Sequence, residues 1–304
     1  MNRKELSEFI KREKGSDTLI LAHTYQPPEI IDSADITGDS FALSVAASKT
    51  QAKRVIMCGV RFMAETVKIL SPEKQVILAA PQATCPMAEQ ISPERVRKFR
   101  EENPGVPVVV YINTNAALKA ECDVCVTSSS AVKIVSQLPQ KDILFIPDKN
   151  LGAWVQKELP EKNIILWDGC CPIHSKVTRE DVLKAKAEHP GAKLAMHPEC
   201  PAQALEQADM IGSTKAIIDF ALSTQEPVIL GTERGVADYL IEKHPERKFY
   251  HLCSDRLVCP DMKMTTPESL LGCVRGECGE EIFIDDDISR KAKVCIDNML
   301  RYGG

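Results

Sequence analysis

QVILAAPQATCPM (75–87), NIILWDGCCPI (163–173) and KFYHLCSDRLVCPDM (248–262) are three copies of one pattern. Each is an apolar run that leads into a Cys-Pro pair, at Cys85, Cys171 and Cys259, with gaps of 86 and 88 residues. Seven residues beyond each cysteine stands a helix-capping hydroxyl: Ser92, Thr178 or Thr266. A long period met three times has to be read before any local motif, because it sets the architecture.

Other residues share the register. His23, Tyr111 and His197 end the runs LILAH, VVVY and KLAMH, 88 and 86 residues apart, and Ser40, Ser128 and Thr214 each follow 17 residues later. SPERVRKFREENPG (92–105) aligns with TREDVLKAKAEHPG (178–191), and TPESLLGCVRGECG (266–279) takes the third place. Ser92-Pro93 reads as an N-cap with proline at the first helical position, and Gly105 and Gly191 as C-terminal stops. Short apolar runs alternating with helical stretches indicate parallel sheets covered by helices. The expected fold is α/β, with three repeated three-layer α/β/α domains about a pseudo-threefold axis. The expected domains are residues 1–103, 104–189 and 190–304, each holding one lattice cysteine. Sites in such sheets lie beyond the carboxyl ends of the strands. That rule sends the lattice histidines, tyrosine, hydroxyls and thiols toward one centre.

Composition narrows the class. A hydrophobic content of 44% over 304 residues supplies real cores. A net charge of −5 argues against a nucleic-acid partner. No apolar stretch reaches the roughly 18 residues of a membrane span, and the charged start MNRKELSEFIKREKG is no signal peptide. The reading is a cytoplasmic protein. Twelve cysteines in such a chain point to metal or redox use for some of them.

Three thiols at a common point leave one coordination position open. Structural zinc takes four protein ligands, whereas a [4Fe–4S] cluster on three thiolates keeps one iron free to bind a substrate. The alternative is a packing cysteine inherited with the repeat. Cys122 and Cys125 lie in a strand stretch and face opposite ways, Cys58, Cys253, Cys273 and Cys295 read as core, and Cys200 lacks lattice partners. A Cys273–Cys278 redox pair stays open, as does interference from Cys170. Glu199 beside a metal suits a general base. His174, three residues beyond Cys171, falls in a lattice turn, and the Ser40, Ser128 and Thr214 hydroxyls suit carboxylates or phosphate unless they merely cap helices. No P-loop or dinucleotide glycine fingerprint is present.

LAHTYQPPEI, ITGDS, ATCPMA, VVVYINT, VTSSSAV, GCCPIH, MHPECP, GTERG and VCPDMK, in this order over nearly the whole chain, resemble the quinolinate synthase A family. The resemblance implies three α/β domains about a pseudo-threefold axis, with a [4Fe–4S] cluster on Cys85, Cys171 and Cys259. It implies a transferase-type condensation of iminoaspartate with dihydroxyacetone phosphate to quinolinate, in NAD biosynthesis. Phosphate and water are released, and the cluster acts as a Lewis acid. By motif, Glu199 is the main acid–base residue, Tyr25 and His23 move protons on the triose, and His197 joins the catalytic set. Tyr111, Asn113, Ser40, Ser128 and Thr214 meet substrate carboxylates and phosphate, and His174 lines the cavity. Functional coupling to an aspartate-oxidising enzyme is a further expectation. The competing classes are a hydro-lyase acting on another hydroxy acid, and an iron–sulfur electron carrier or sensor. Domain-length ligand spacing and the surrounding acid–base groups favour catalysis.

Overall fold

The computed structural model describes residues 2–303. One eight-element unit occurs three times. The first runs α1 (Arg3–Glu13), β1 (Thr18–His23), α2 (Pro28–Ser33), β2 (Ile36–Gly38), α3 (Ser40–Lys49), β3 (Arg54–Cys58), α4 (Arg61–Leu70) and β4 (Gln75–Leu78). The second is α5 (Pro93–Glu102), β5 (Val108–Tyr111), α6 (Ala116–Lys119), β6 (Val124–Val126), α7 (Ala131–Gln137), β7 (Asp142–Ile146), α8 (Lys149–Glu158) and β8 (Asn163–Leu166). The third is α9 (Arg179–Glu188), β9 (Lys193–Met196), α10 (Ala202–Leu205), β10 (Met210–Ile211), α11 (Thr214–Ser223), β11 (Val228–Gly231), α12 (Arg234–Lys243) and β12 (Phe249–His251). The chain continues with α13 (Pro267–Arg275), β13 (Glu280–Glu281) and α14 (Asp286–Gly303).

The strand order repeats as β2-β1-β3-β4, β6-β5-β7-β8 and β10-β9-β11-β12, parallel throughout, and β13 adds an antiparallel edge to β4. Alternation of side chains divides each sheet between two helical layers. In the first sheet, Ile20, Ala22, Ile56 and Cys58 pack with Ile10 of α1 and Ile30 of α2. The intervening Leu21, Val55 and Met57 pack with Leu43 of α3 and Val67 of α4. The third sheet divides likewise: Leu194 and Met196 meet α9 and α10, whereas Ala195 and Leu230 meet α11 and α12.

The same polar joint holds each first strand. Asp35, Asp123 and Asp209 accept the N–H of Ile20, Val108 and Leu194, at 2.8, 2.7 and 2.8 Å. Each of these aspartates is paired to a cation, Lys14 at the C-cap of α1, Arg100 on α5 or Lys186 on α9, at 3.2, 2.7 and 3.5 Å. Helices α1, α5 and α9 are therefore one element in three copies. Ile10, Val96 and Val182 fill one place, each fully buried. Each such helix packs on the first helix that follows it, α1 on α2, α5 on α6 and α9 on α10. A fourth copy, α13, packs on α1 and α2, and α14 covers β6 and α6 of the second unit. The residues after Thr266 thus pack against the first and second units.

The cap hydroxyls divide. Thr178 and Thr266 form capping boxes, whereas Ser92 takes the N-cap position with no side-chain bond to the helix. Left-handed glycines follow α5 and α9 at Gly105 and Gly191, with φ of 87° and 82°, each in the turn that Val106 N–H to Asn103 O and Ala192 N–H to His189 O close beyond the helix C-caps.

Candidate active site

The carboxyl ends of β1, β5 and β9 bring His23, Tyr111 and His197 to one cavity. Two residues further on, the turns deliver Tyr25, Asn113 and Glu199 to the same space. The turn is built from its own side chain. In the first unit the N–H of Tyr25 donates to His23 Nδ1 at 3.1 Å, and in the third that of Glu199 donates to His197 Nδ1 at 3.4 Å. Both histidines are thereby fixed with Nδ1 as acceptor and Nε2 toward the cavity side, where His197 Nε2 lies 3.3 Å from Ser128 Oγ.

Ser40, Ser128 and Thr214 line the cavity as well. Capping falls to their neighbours. Asp39 Oδ1 accepts from Ala42 N at 2.9 Å, and Ser213 Oγ from Ala216 N at 3.2 Å. Ser40 and Thr214 are the first residues of ten-residue helices, α3 and α11, where backbone N–H groups and the helix dipole favour an anion.

A contiguous space shares Tyr25, Asn113, Glu199 and Met262 with this cavity, and Cys85, Cys171 and Cys259 line it together. None of the three is in a disulfide, and no fourth cysteine lines the space among the described residues. Each cysteine loop is anchored by a buried acid. Asp148 Oδ2 accepts the N–H of Cys171 at 2.8 Å, and Glu233 Oε1 that of Cys259 at 3.2 Å. The first unit has Val60 at that place, and its loop is anchored from outside: Asp261 of the third unit accepts the N–H of Thr84 at 3.0 Å.

Glu199 is the centre of the polar network. Its Oε2 lies 2.7 Å from His174 Nδ1 and 3.6 Å from His197 Nδ1. Its Oε1 is buried and has no hydrogen-bond partner among the described residues. Burial pushes this carboxyl up, but His197, His174 and the Tyr111 hydroxyl outweigh it and hold Glu199 down at about 2. Burial pushes His197 down to about 4 and, with Lys263 and His197 nearby, His23 to about 3, so both are neutral at pH 7. Burial raises the Tyr25 phenol well above its usual range, so it keeps its proton. A low carboxylate beside a high phenol separates an acceptor from a donor of protons.

Burial also raises Cys85 to about 12 and Cys259 to about 11, and Cys171 well above the ordinary thiol. A positive centre among them would reverse that and favour thiolates. The donor set therefore suits a metal group held by three sulfurs. Cys171 Sγ, His174 Nδ1 and a Glu199 oxygen also lie within 4.8 Å of one another, close enough to hold a metal.

All ten expected acid–base and substrate-facing residues line these spaces, and so do the three expected sulfur ligands. Cys170, whose N–H is held by Gln90, does not. Cys58, Cys200, Cys253, Cys273 and Cys295 are buried in the core. One participant escaped the sequence reading. Thr232 Oγ1 sits 3.0 Å from the Tyr25 hydroxyl and 3.3 Å from His174 Nε2, linking them. It follows the last residue of β11, and the strand-end rule applied to GTERG would have found it.

The comparisons agree along the whole length. The family model for quinolinate synthetase A protein matches residues 7–301. The chain is 46% identical over 299 residues to the quinolinate synthase of Caldicellulosiruptor saccharolyticus, covering 98% of this chain and 97% of that one. It is 44% identical over 302 residues to the quinolinate synthase of Alkaliphilus metalliredigens, with 99% of both chains covered. The quinolinate synthase of Clostridioides difficile is 41% identical over 298 residues, 97% of each. Sequence, three-unit fold and a cavity ringed by three thiols lead to one assignment: the chain belongs to the quinolinate synthetase A protein family.

Proposed function

We propose that this protein is a quinolinate synthase that condenses iminoaspartate with dihydroxyacetone phosphate, releasing one phosphate and two waters. The observation that carries this reading is the meeting of three thiols, one from each proposed division (1–103, 104–189, 190–304), with Glu199 on one cavity. In this reading Cys85, Cys171 and Cys259 hold a [4Fe–4S] cluster. A cluster bound by three sulfurs supplies a Lewis-acidic iron with an open position.

The residues divide the remaining work. Ser40 and Thr214, at the starts of α3 and α11, and Ser128, beside His197, suit the carboxylates of one substrate and the phosphate of the other. Tyr111 and Asn113 add neutral donors from the second unit. Glu199, held as a carboxylate, takes protons as the new bonds form, and His174 beside it relays them. The protonated Tyr25 phenol donates on the triose side and is aimed by Thr214 and Thr232 at 2.9 and 3.0 Å. His23, stacked edge-on to Tyr25 at 4.4 Å, keeps that ring in place, and with Nδ1 occupied by the Tyr25 N–H its neutral ring has the Nε2 proton to donate on the triose side. Enclosure between three units limits water around an imine that hydrolyses readily. That lability is also the reason for supply by an aspartate-oxidising enzyme working alongside.

Anaerobic reconstitution followed by both substrates tests the proposal. Quinolinate, identified by chromatography and mass, supports it. A reconstituted sample that carries iron and sulfide but forms no quinolinate would refute it, and would turn attention to a hydro-lyase or an electron carrier.

A further inference from the structure

Lys119 is fully buried, and no ion pair reaches it among the described residues. It is the last residue of the short helix α6. Its ammonium donates to the carbonyl of Ile112 at 2.8 Å and to the carbonyl of Thr114. The Phe62 ring, which lines the active-site cavity, lies 5.6 Å from it. Glu65 attracts it from beyond ion-pairing distance, and burying a cation without a contact ion pair is costly, so a packing role alone does not account for it.

The repeat sharpens the point. The places corresponding to Lys119 are Ile31 in the first unit and Leu205 in the third, each four residues before the lattice aspartate and each buried. An apolar side chain satisfies the core there twice. The second unit differs in one other way. His23 and His197 accept the N–H of the residue two further on, and so set the turns that carry Tyr25 and Glu199. At the same place the second unit has Tyr111, whose ring carries no nitrogen acceptor. Its turn is tied instead through its carbonyls. The Thr114 hydroxyl donates to Tyr111 O at 2.9 Å, the Thr114 N–H donates to Ile112 O at 2.8 Å, and Lys119 holds the carbonyls on both sides of Asn113.

We propose that Lys119 is a positioning residue that fixes the 112–114 turn and thereby aims Asn113 at the substrate, replacing the histidine clamp of the other two units. The proposal rests on the quinolinate synthase reading for what Asn113 binds, but not for the clamp itself. Lys119 touches no substrate and acts through Asn113.

The test uses the reconstituted full chain with Lys119→Met, which keeps the length and removes the donors. Peptide-level hydrogen exchange over residues 111–118 should be faster in this variant, with the rest of the molecule unchanged. KM for one substrate should rise about tenfold, as expected for a displaced binding group, while kcat changes far less. In an Asn113→Ala background the same substitution should add little, and Lys119→Arg should recover part of the KM. Unchanged exchange with unchanged KM would overturn the proposal. So would equal effects of Lys119→Met with and without Asn113. If Lys119→Met does not fold, Lys119→Gln, which retains donors, must show the intermediate KM or the proposal fails. Faster local exchange in a wild-type background that makes no quinolinate would refute the activity and leave the clamp standing.

Discussion

Glu199 presents one oxygen to His174 Nδ1 at 2.7 Å and leaves the other, equally enclosed, with no partner among the described residues. A buried carboxylate oxygen without a donor loses more than a hydrogen bond is worth. The asymmetry is productive only if something that enters the cavity completes it. In the proposed reading that something is a substrate N–H or O–H whose proton Glu199 would take.

Glu199→Gln should keep the fold and whatever the three thiols hold, and lose turnover by about 10²- to 10⁴-fold, the usual contribution of general acid–base catalysis. Steady-state quinolinate formation checks this. A rate near wild type removes Glu199 from the proton path.

The sulfur set makes a sharper demand. Cys85→Ala, Cys171→Ala and Cys259→Ala should each abolish the visible iron–sulfur absorbance after reconstitution, because each unit contributes only one sulfur to the cavity. Cys170→Ala, whose backbone is tied to Gln90 outside that space, should leave it intact. Iron and sulfide determination on the four variants reads both arms.

Thr232 joins the Tyr25 phenol to His174 through one hydroxyl. Thr232→Val removes both bonds while keeping nearly the same volume. Quinolinate formation should fall at least about tenfold, since each of the two buried hydrogen bonds is worth roughly 1 kcal/mol, with little change in melting temperature. Combined with Tyr25→Phe, the loss should be less than additive, since both act on the same chain.

Two neutral histidines set an acid limit. His23 and His197 are held near 3 and 4 by burial, below their ordinary 6.5. The folded state therefore binds fewer protons than the unfolded one across that window, and stability is full above about pH 6.5 and lost as pH falls toward 4. Each histidine contributes a slope of up to about 1.4 kcal/mol per pH unit. Urea midpoints measured from pH 7 to 4.5 should fall steadily, and less steeply in His23→Asn.

Much of this was legible because duplication writes the same signal three times. The 86–88 spacing of the cysteines, and of His23, Tyr111 and His197, located three sheets and their common focus without any single strong motif. The packing of the bridging helices was not legible. The glycine that ends SPERVRKFREENPG lies just beyond α5, but nothing local tells which elements its apolar face covers; that depends on Arg100 reaching Asp123, beyond β5 and α6. Thr232 was missed because its lattice counterparts, Gly59 and Pro147, carry no hydroxyl. Lys119, in the short stretch AALK, reads as an exposed helical lysine until the fold closes over it.

The anchoring of the Cys85 loop by Asp261 has a temporal consequence. As the polypeptide leaves the ribosome, the first thiol emerges long before the carboxylate that steadies its loop, and the third thiol emerges only two residues before that carboxylate. If the three thiols hold a cluster as proposed, the Cys85 loop gains its Asp261 anchor only after residue 261 has been synthesised and has folded back.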